Sequence, residues 1–145
     1  IIDYTYGREH TFSDGTADAV DHVDFTEPYS AALRSLLIDV APDAGCEVVP
    51  RGVYGATQGP RLETAAEIAR MARDGCSIVG MTGMPEAALA REAGLDYATV
   101  SLSVNWAAGI GGATISLEEI GQHLTQGMTA VLRLVGRTIG DALSR

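Results

Sequence analysis

Cysteine is scarce: the 145-residue sequence has two, Cys46 and Cys76, and neither sits in a Cys-x-x-Cys pair or at ligand spacing from a histidine. A zinc site is therefore not expected. Nothing calls for an oxidising compartment, so the cytoplasm is the expected location. Basic residues are also few. Ten Lys and Arg stand against nineteen Asp and Glu, a formal net charge of −9, and that argues against a nucleic-acid surface, which needs a basic stripe. An anionic substrate is not excluded, because local amides and hydroxyls can hold one phosphate within an acidic protein. No apolar run reaches the length of a membrane span, and no basic-then-apolar leader opens the sequence. Neither a membrane nor a nucleic acid is an expected partner. The first residue is Ile1 rather than Met, already inside an extended apolar run, and the expectation is that further chain belongs upstream of it.

What is present describes a soluble globular domain. Apolar residues make up 46% and charged residues 20%, a balance that allows a core and argues against disorder. Seventeen glycines suggest a loop-rich α/β protein in which backbone comes close to ligands or to other backbone.

Residues 1–5 read as a short strand and residues 7–27, rich in Gly, Asp and Thr, as a long loop of the kind that often carries function. Tyr29, Leu33, Leu36, Leu37 and Val40 recur at helical spacing, with Pro28 suited to the first turn and Pro42-Asp43-Ala44-Gly45 as the stop. A β-rich run follows over 46–56, then a turn at Gln58-Gly59-Pro60-Arg61 and a helix over 64–72 with Ala65, Ile68 and Ala69 on one face. Ser77 to Met81 reads as a short buried strand, a helix begins near Pro85 and stops at Ala93-Gly94, and Tyr97 to Val104 reads as another buried strand. Ser116 and Glu119 have capping-box spacing. The final helix behind them puts Ile120, Leu124, Met128, Val131, Val135 and Ile139 on one face, and its glycines either weaken it or permit close packing. Alternating strands and helices predict an α/β layered sandwich around a mostly parallel sheet. In such sheets ligands sit beyond the carboxyl ends of the strands. Three strand ends are therefore candidates: Thr57 to Glu63, Gly80 to Glu86, and Ser103 to Trp106.

Gly59-Pro60-Arg61-Leu62-Glu63-Thr64, with Ala66-Glu67 after it, resembles the Gly-Pro-x-Phe-Glu-Thr-x-Ala-Glu signature of trimeric purine nucleoside phosphorylases. Gly80-Met81-Thr82 followed by Met84-Pro85-Glu86 resembles the family's Gly-Met-Ser/Thr-x-x-Pro-Glu, and Ala90 to Leu95 and Val104-Asn105 fit in order and spacing. The resemblance runs from about residue 1 to residue 120. It extends to the sister 5′-methylthioadenosine phosphorylases, above all their bacterial 5′-methylthioinosine branch. It implies a phosphorylase/hydrolase-like three-layer sandwich with a mixed, mostly parallel sheet flanked by helices. Residues 1–145 would form the C-terminal part of one domain whose phosphate loop and Arg-His pair lie in an N-terminal part outside this chain.

The resemblance also implies roles. Glu63 matches the glutamate that accepts from the purine N1–H, and Leu62 stands where a Phe packs on the base. Met81 matches the methionine under the ribose, and Thr82 the phosphate-binding hydroxyl. Asn105 matches the catalytic residue at the purine N7, where an amide can both accept and donate. The adenosine-type relatives have Asp there and again two residues later; Asn105 and Ala107 occupy those places here, which favours a 6-oxopurine. Trp106 departs from the Lys of the inosine/guanosine enzymes. Leu117 falls where those enzymes place a His facing the 5′-hydroxyl, and an apolar residue suits a methylthio group better. His22 matches a histidine lent to the neighbouring subunit's site, which implies a homotrimer. The implied reaction is phosphorolysis of S-methyl-5′-thioinosine to hypoxanthine and 5-methylthioribose 1-phosphate, with inorganic phosphate as co-substrate and neither cofactor nor metal. Inosine/guanosine phosphorylase, 5′-methylthioadenosine phosphorylase and a non-catalytic nucleoside-binding or structural fragment remain as alternatives. Taken singly, Glu63 reads as a carboxylate at a helix start, Thr82 as a cap, Asn105 as a turn residue, and Met81 and Leu62 as core. Glu67 and Glu86 read as braces for loops and helix ends.

Overall fold

The computed structural model describes residues 1–16, 20–111 and 116–144. Three strands, β1 (Ile2–Asp3), β2 (Tyr54–Ala56) and β3 (Ile78–Gly80), form a parallel sheet in that order. Ile2 lies opposite Gly55, and Tyr54 opposite Ile78. Each crossover carries a helix: α1 (Ala31–Val40) between β1 and β2, and α2 (Ala65–Arg73) between β2 and β3. Helices α3 (Glu86–Glu92) and α4 (Leu117–Leu143) follow. All described strand pairs are parallel, so every strand delivers its carboxyl end to the same edge.

Local chemistry sets the helix starts. The Ser30 hydroxyl accepts from the Leu33 amide at 3.3 Å, so α1 begins there and Pro28 lies before the cap rather than in the first turn. At α2 the Thr64 hydroxyl accepts from the Glu67 amide (3.1 Å) and the Glu67 carboxylate accepts from the Thr64 amide (2.7 Å). Two N–H groups that no helical carbonyl can reach are thereby satisfied. Ser116 accepts from the Glu119 amide at 3.3 Å and opens α4.

The core has two parts. Val40, Ala41 and Ala44 pack against Leu134, joining α1 to α4. Tyr54, Ala56, Met84 and Ala87 pack together beneath the sheet edge. The buried face of α2 is Ile68 and Met71, while Ala65 and Ala69 are exposed. Along α4 the buried residues are Leu134 and Thr138, and the expected apolar face is partly open, with Leu124 at 46% and Ile139 at 55% exposure. Of the glycines in α4, Gly127 permits close packing, since a Cβ there would stand 2.5 Å from Leu102.

Two strand expectations are corrected. Residues 97–104 run without helix or ladder. At the two ends of this segment the Tyr97 carbonyl accepts from the Ser30 amide at 2.8 Å and the Val104 carbonyl accepts from His123 Nδ1 at 2.7 Å. The strand at 78–80 forms as expected but is not buried, with Ile78 at 39% exposure.

Candidate active site

Two of the three predicted strand ends meet. The β2 and β3 ends are tied by the Thr57 amide, which donates to the Gly80 carbonyl at 2.8 Å. The Thr57 hydroxyl donates to Glu63 Oε1 at 2.6 Å. Thr57 is 6% exposed, so this charge-assisted bond fixes the carboxylate where water competes little. It also leaves Oε2 without a protein partner among the described residues. Met81 reaches the same place from β3: a Cβ added at Gly59 would lie 2.5 Å from its sulfur. Gly59 itself has φ +64, a conformation that glycine adopts freely. Both loops pass through cis prolyl bonds, Gly59–Pro60 and Met84–Pro85.

The glycines of the second loop make room for a ring. Tyr54, 7% exposed, lies so close that a Cβ on Gly80 would stand 2.2 Å from its hydroxyl oxygen, and one on Gly83 would stand 2.9 Å from the ring. That oxygen accepts from the Thr82 amide at 3.4 Å. Thr82 is exposed, and Pro85 occupies the α3 cap position, so Thr82 is part of the turn before the helix rather than its cap. Gly80→Ala is expected to destabilise the protein by about 1–3 kcal/mol through overpacking. Tyr54→Phe, which removes the nearest atom, should recover part of that loss, as read from urea midpoints.

A cavity of about 90 Å³ opens beside this junction, lined by Tyr4, Tyr6, Gln58, Arg61, Glu63 and Glu67 among others. Whole-ligand pockets run to roughly 300–1,000 Å³, so this one admits only a small part of such a ligand. Desolvation and the bond its hydroxyl donates to Asp74 push Tyr4 above the usual phenol range, so it remains protonated at neutral pH. Arg61 grips Glu67 with two bonds of 2.9 and 2.8 Å. First that pairing and then the Thr64 amide hold the Glu67 carboxyl down at about 2, against an ordinary value of 4.5. Because the folded-state value is lowered, the stabilisation is complete above pH 4.5 and disappears as pH falls through about 2. Glu67→Gln keeps the capping box and loses the ion pair. Its melting temperature should lie below wild type at pH 6, and the gap should close toward pH 2.

The remaining sequence-predicted residues are dispersed. Leu62 is 44% exposed at the rim, and Leu117, the first residue of α4, is 79% exposed. Asn105 is exposed, and its Nδ2 donates to the Trp106 carbonyl at 2.8 Å. Ala107 is half-buried, and His22 is exposed in the long N-terminal loop. The segment after Asn105 returns toward the first loop, since a Cβ on Gly109 would stand 2.7 Å from Ala65 at the start of α2. Glu86 does brace, accepting from the Tyr97 hydroxyl at 2.9 Å, as Glu67 does at α2. Three residues of this junction are given no role of their own by the sequence: Thr57, Tyr54, and Arg8, whose guanidinium donates to the Gln58 and Met81 carbonyls. Thr57 lies inside the first candidate loop, and its hydroxyl six residues before Glu63 is the one available signal. Nothing local marks the other two.

Residues 1–140 match the Phosphorylase superfamily. The chain belongs to that superfamily. It is 54% identical over 139 residues to a probable S-methyl-5′-thioinosine phosphorylase of Pseudomonas syringae pv. tomato, covering 96% of this chain and 56% of that protein. The 6-oxopurine nucleoside phosphorylase of Pyrococcus furiosus is 43% identical over 140 residues, covering 93% and 53% respectively. Methylthioadenosine phosphorylase from Schistosoma mansoni, solved in complex with adenine, superposes with a TM-score of 0.91 at 24% identity, over 99% of this chain and 57% of that one. That likeness establishes the fold: a phosphorylase α/β sheet flanked by helices, present in part. The chain spans about half the length of the curated relatives it matches.

Among the described residues no helix is long and apolar enough to cross a membrane. No group of three or more His, Cys, Asp or Glu that could hold a metal occurs among them either.

Proposed function

We propose that the protein carrying this chain cleaves a 6-oxopurine nucleoside with inorganic phosphate, S-methyl-5′-thioinosine being the substrate. It would act as a cytoplasmic pentosyltransferase of purine salvage without cofactor or metal. The observation that carries the reading is Glu63, whose carboxylate is pinned through Oε1 by Thr57 and keeps Oε2 to accept from a purine N1–H. A 6-oxopurine has that N1–H; a 6-aminopurine does not. Asn105 and Ala107, in place of the two aspartates of the adenosine-type relatives, support the same choice. One Asn105 Nδ2 hydrogen is used on Trp106; the other remains to donate to O6, while Oδ1 accepts from a protonated N7. Relatives 51–59% identical are named probable S-methyl-5′-thioinosine phosphorylases.

In the reaction the C1′–N9 bond breaks through an oxocarbenium-like state and a phosphate oxygen bonds to C1′. Asn105 takes up the charge developing on the purine at N7 and O6, an electrostatic contribution. Thr82 holds phosphate and Met81 lies under the ribose, so that the two reactants are oriented together. Leu62 and Leu117 face the base and the 5′ substituent, and His22 serves the site of an adjacent subunit in a homotrimer.

The test is kcat/KM of the full-length protein on S-methyl-5′-thioinosine, inosine and 5′-methylthioadenosine side by side. Preference for the first bears the reading out. Preference for inosine supports the second reading, a general 6-oxopurine phosphorylase, which the Pyrococcus relative favours. Preference for methylthioadenosine would contradict both.

A further inference from the structure

We infer that Arg8 is the positioning residue that locks the base-side loop (57–63) and the phosphate-side loop (81–86) at a fixed spacing. Its guanidinium has five N–H donors in a planar fork, and each ends on an oxygen of one of those loops. Nε donates to Gln58 Oε1 at 3.1 Å. One terminal nitrogen donates to the carbonyls of Thr57 (3.2 Å) and Gln58 (2.8 Å). The other donates to the carbonyls of Met81 (3.0 Å) and Met84. The two nitrogens thus divide between the loops, one to each. Thr82 lies within the span whose two ends Arg8 holds, and Glu63, the last residue of the first loop, is bonded to Thr57, whose carbonyl Arg8 holds. Among the described residues no carboxylate pairs with Arg8, so the fork is committed to backbone and amide oxygens rather than to an ion pair.

The function of such a clamp follows from the reaction proposed above, on which this inference rests. The two reactants would be held by different loops, and their reacting atoms must meet to within a fraction of an ångström. The strand ladder ties the loops at a single point, Thr57 to Gly80; beyond it the guanidinium bridges carbonyls on both sides. A lysine at this position keeps the charge but presents a compact point with three donors, and it cannot span both loops.

Three measurements on the full-length protein test this. In Arg8→Lys, kcat per titrated active site should fall by about ten- to a hundredfold, as expected when the two bound reactants are no longer held in register. A merely structural role would lower only the fraction of active sites, leaving kcat per titrated site and both KM values unchanged; that outcome overturns the inference. Gln58→Leu removes one acceptor and leaves the backbone bonds of Arg8, so it should give a smaller fall in the same constant. This variant decides the matter should Arg8→Lys fail to fold. Amide hydrogen exchange gives a readout without turnover: in Arg8→Lys, segments 57–63 and 81–86 should both exchange faster. Loosening of only one segment, or of neither, overturns the clamp. An inactive wild type would defeat the proposed reaction, and the exchange result would then judge the clamp by itself.

Discussion

Asn105→Asp is expected to move substrate preference from 6-oxopurine toward 6-aminopurine nucleosides. An amide donates to O6 through Nδ2 and accepts at Oδ1; an ionised carboxylate only accepts. The variant would therefore set a carboxylate oxygen against the lone pairs of O6 while retaining an acceptor for a protonated N7 or a 6-amino group. Leaving one polar contact unmade once the bound base covers it costs about 1–3 kcal/mol, roughly a ten- to hundredfold change in relative kcat/KM. The variant also loses the bond from Nδ2 to the Trp106 carbonyl, so its side chain must turn, and total activity should fall as well. The measurement is the ratio of kcat/KM for S-methyl-5′-thioinosine and 5′-methylthioadenosine in wild type and variant. An unchanged ratio would remove Asn105 from base recognition.

Glu63→Ala should strongly reduce cleavage of 6-oxopurine nucleosides while leaving the fold intact. A hydrogen bond to a charged group is worth about 1.5–3 kcal/mol, so kcat/KM should drop by one to two orders of magnitude. The fold should survive because the buried Thr57 hydroxyl, on losing Glu63, still has the Gly80 carbonyl at 3.3 Å as an acceptor. Thr57→Val serves as the graded companion. It keeps the carboxylate but frees it to rotate, so its loss should be smaller and lie mainly in KM. Equal melting temperatures with a large activity loss in Glu63→Ala would fit the account; wild-type activity in that variant would contradict it.

The helices and the parallel order of the sheet were legible because their determinants are local. Ser116 with Glu119 announces a helix start by spacing alone and forms its cap, and Thr64, where the second helix is expected to begin, caps it together with Glu67. The strand reading at 97–104 went astray because apolar, β-branched composition shows that a segment fits a sheet, not that a partner strand lies beside it. In the structure Ser30 and His123 take the bonds at its two ends.

The site divides in the same way. Glu63, Met81 and Thr82 belong to contiguous motifs and fall at neighbouring strand ends. Arg8 and Tyr54 serve those motifs from far along the chain, through backbone carbonyls and one amide, and such contacts leave no trace in residue type or spacing. Gly80 belongs to the quoted motif and Gly83 to one of its unspecified positions, yet both are required sterically, by the Tyr54 ring. Leu117 and His22 stand apart because their assignments rest on parts of the site that two loops and a single helix start do not enclose.

The most direct test of the central claim follows the sugar product. Full-length protein, S-methyl-5′-thioinosine and inorganic phosphate would be incubated together and monitored by phosphorus NMR alongside hypoxanthine release. Phosphorolysis predicts 5-methylthioribose 1-phosphate appearing one-for-one with hypoxanthine, and no release when phosphate is omitted. Hypoxanthine released at the same rate without phosphate, with free 5-methylthioribose as its companion, would mark a hydrolase and contradict the account.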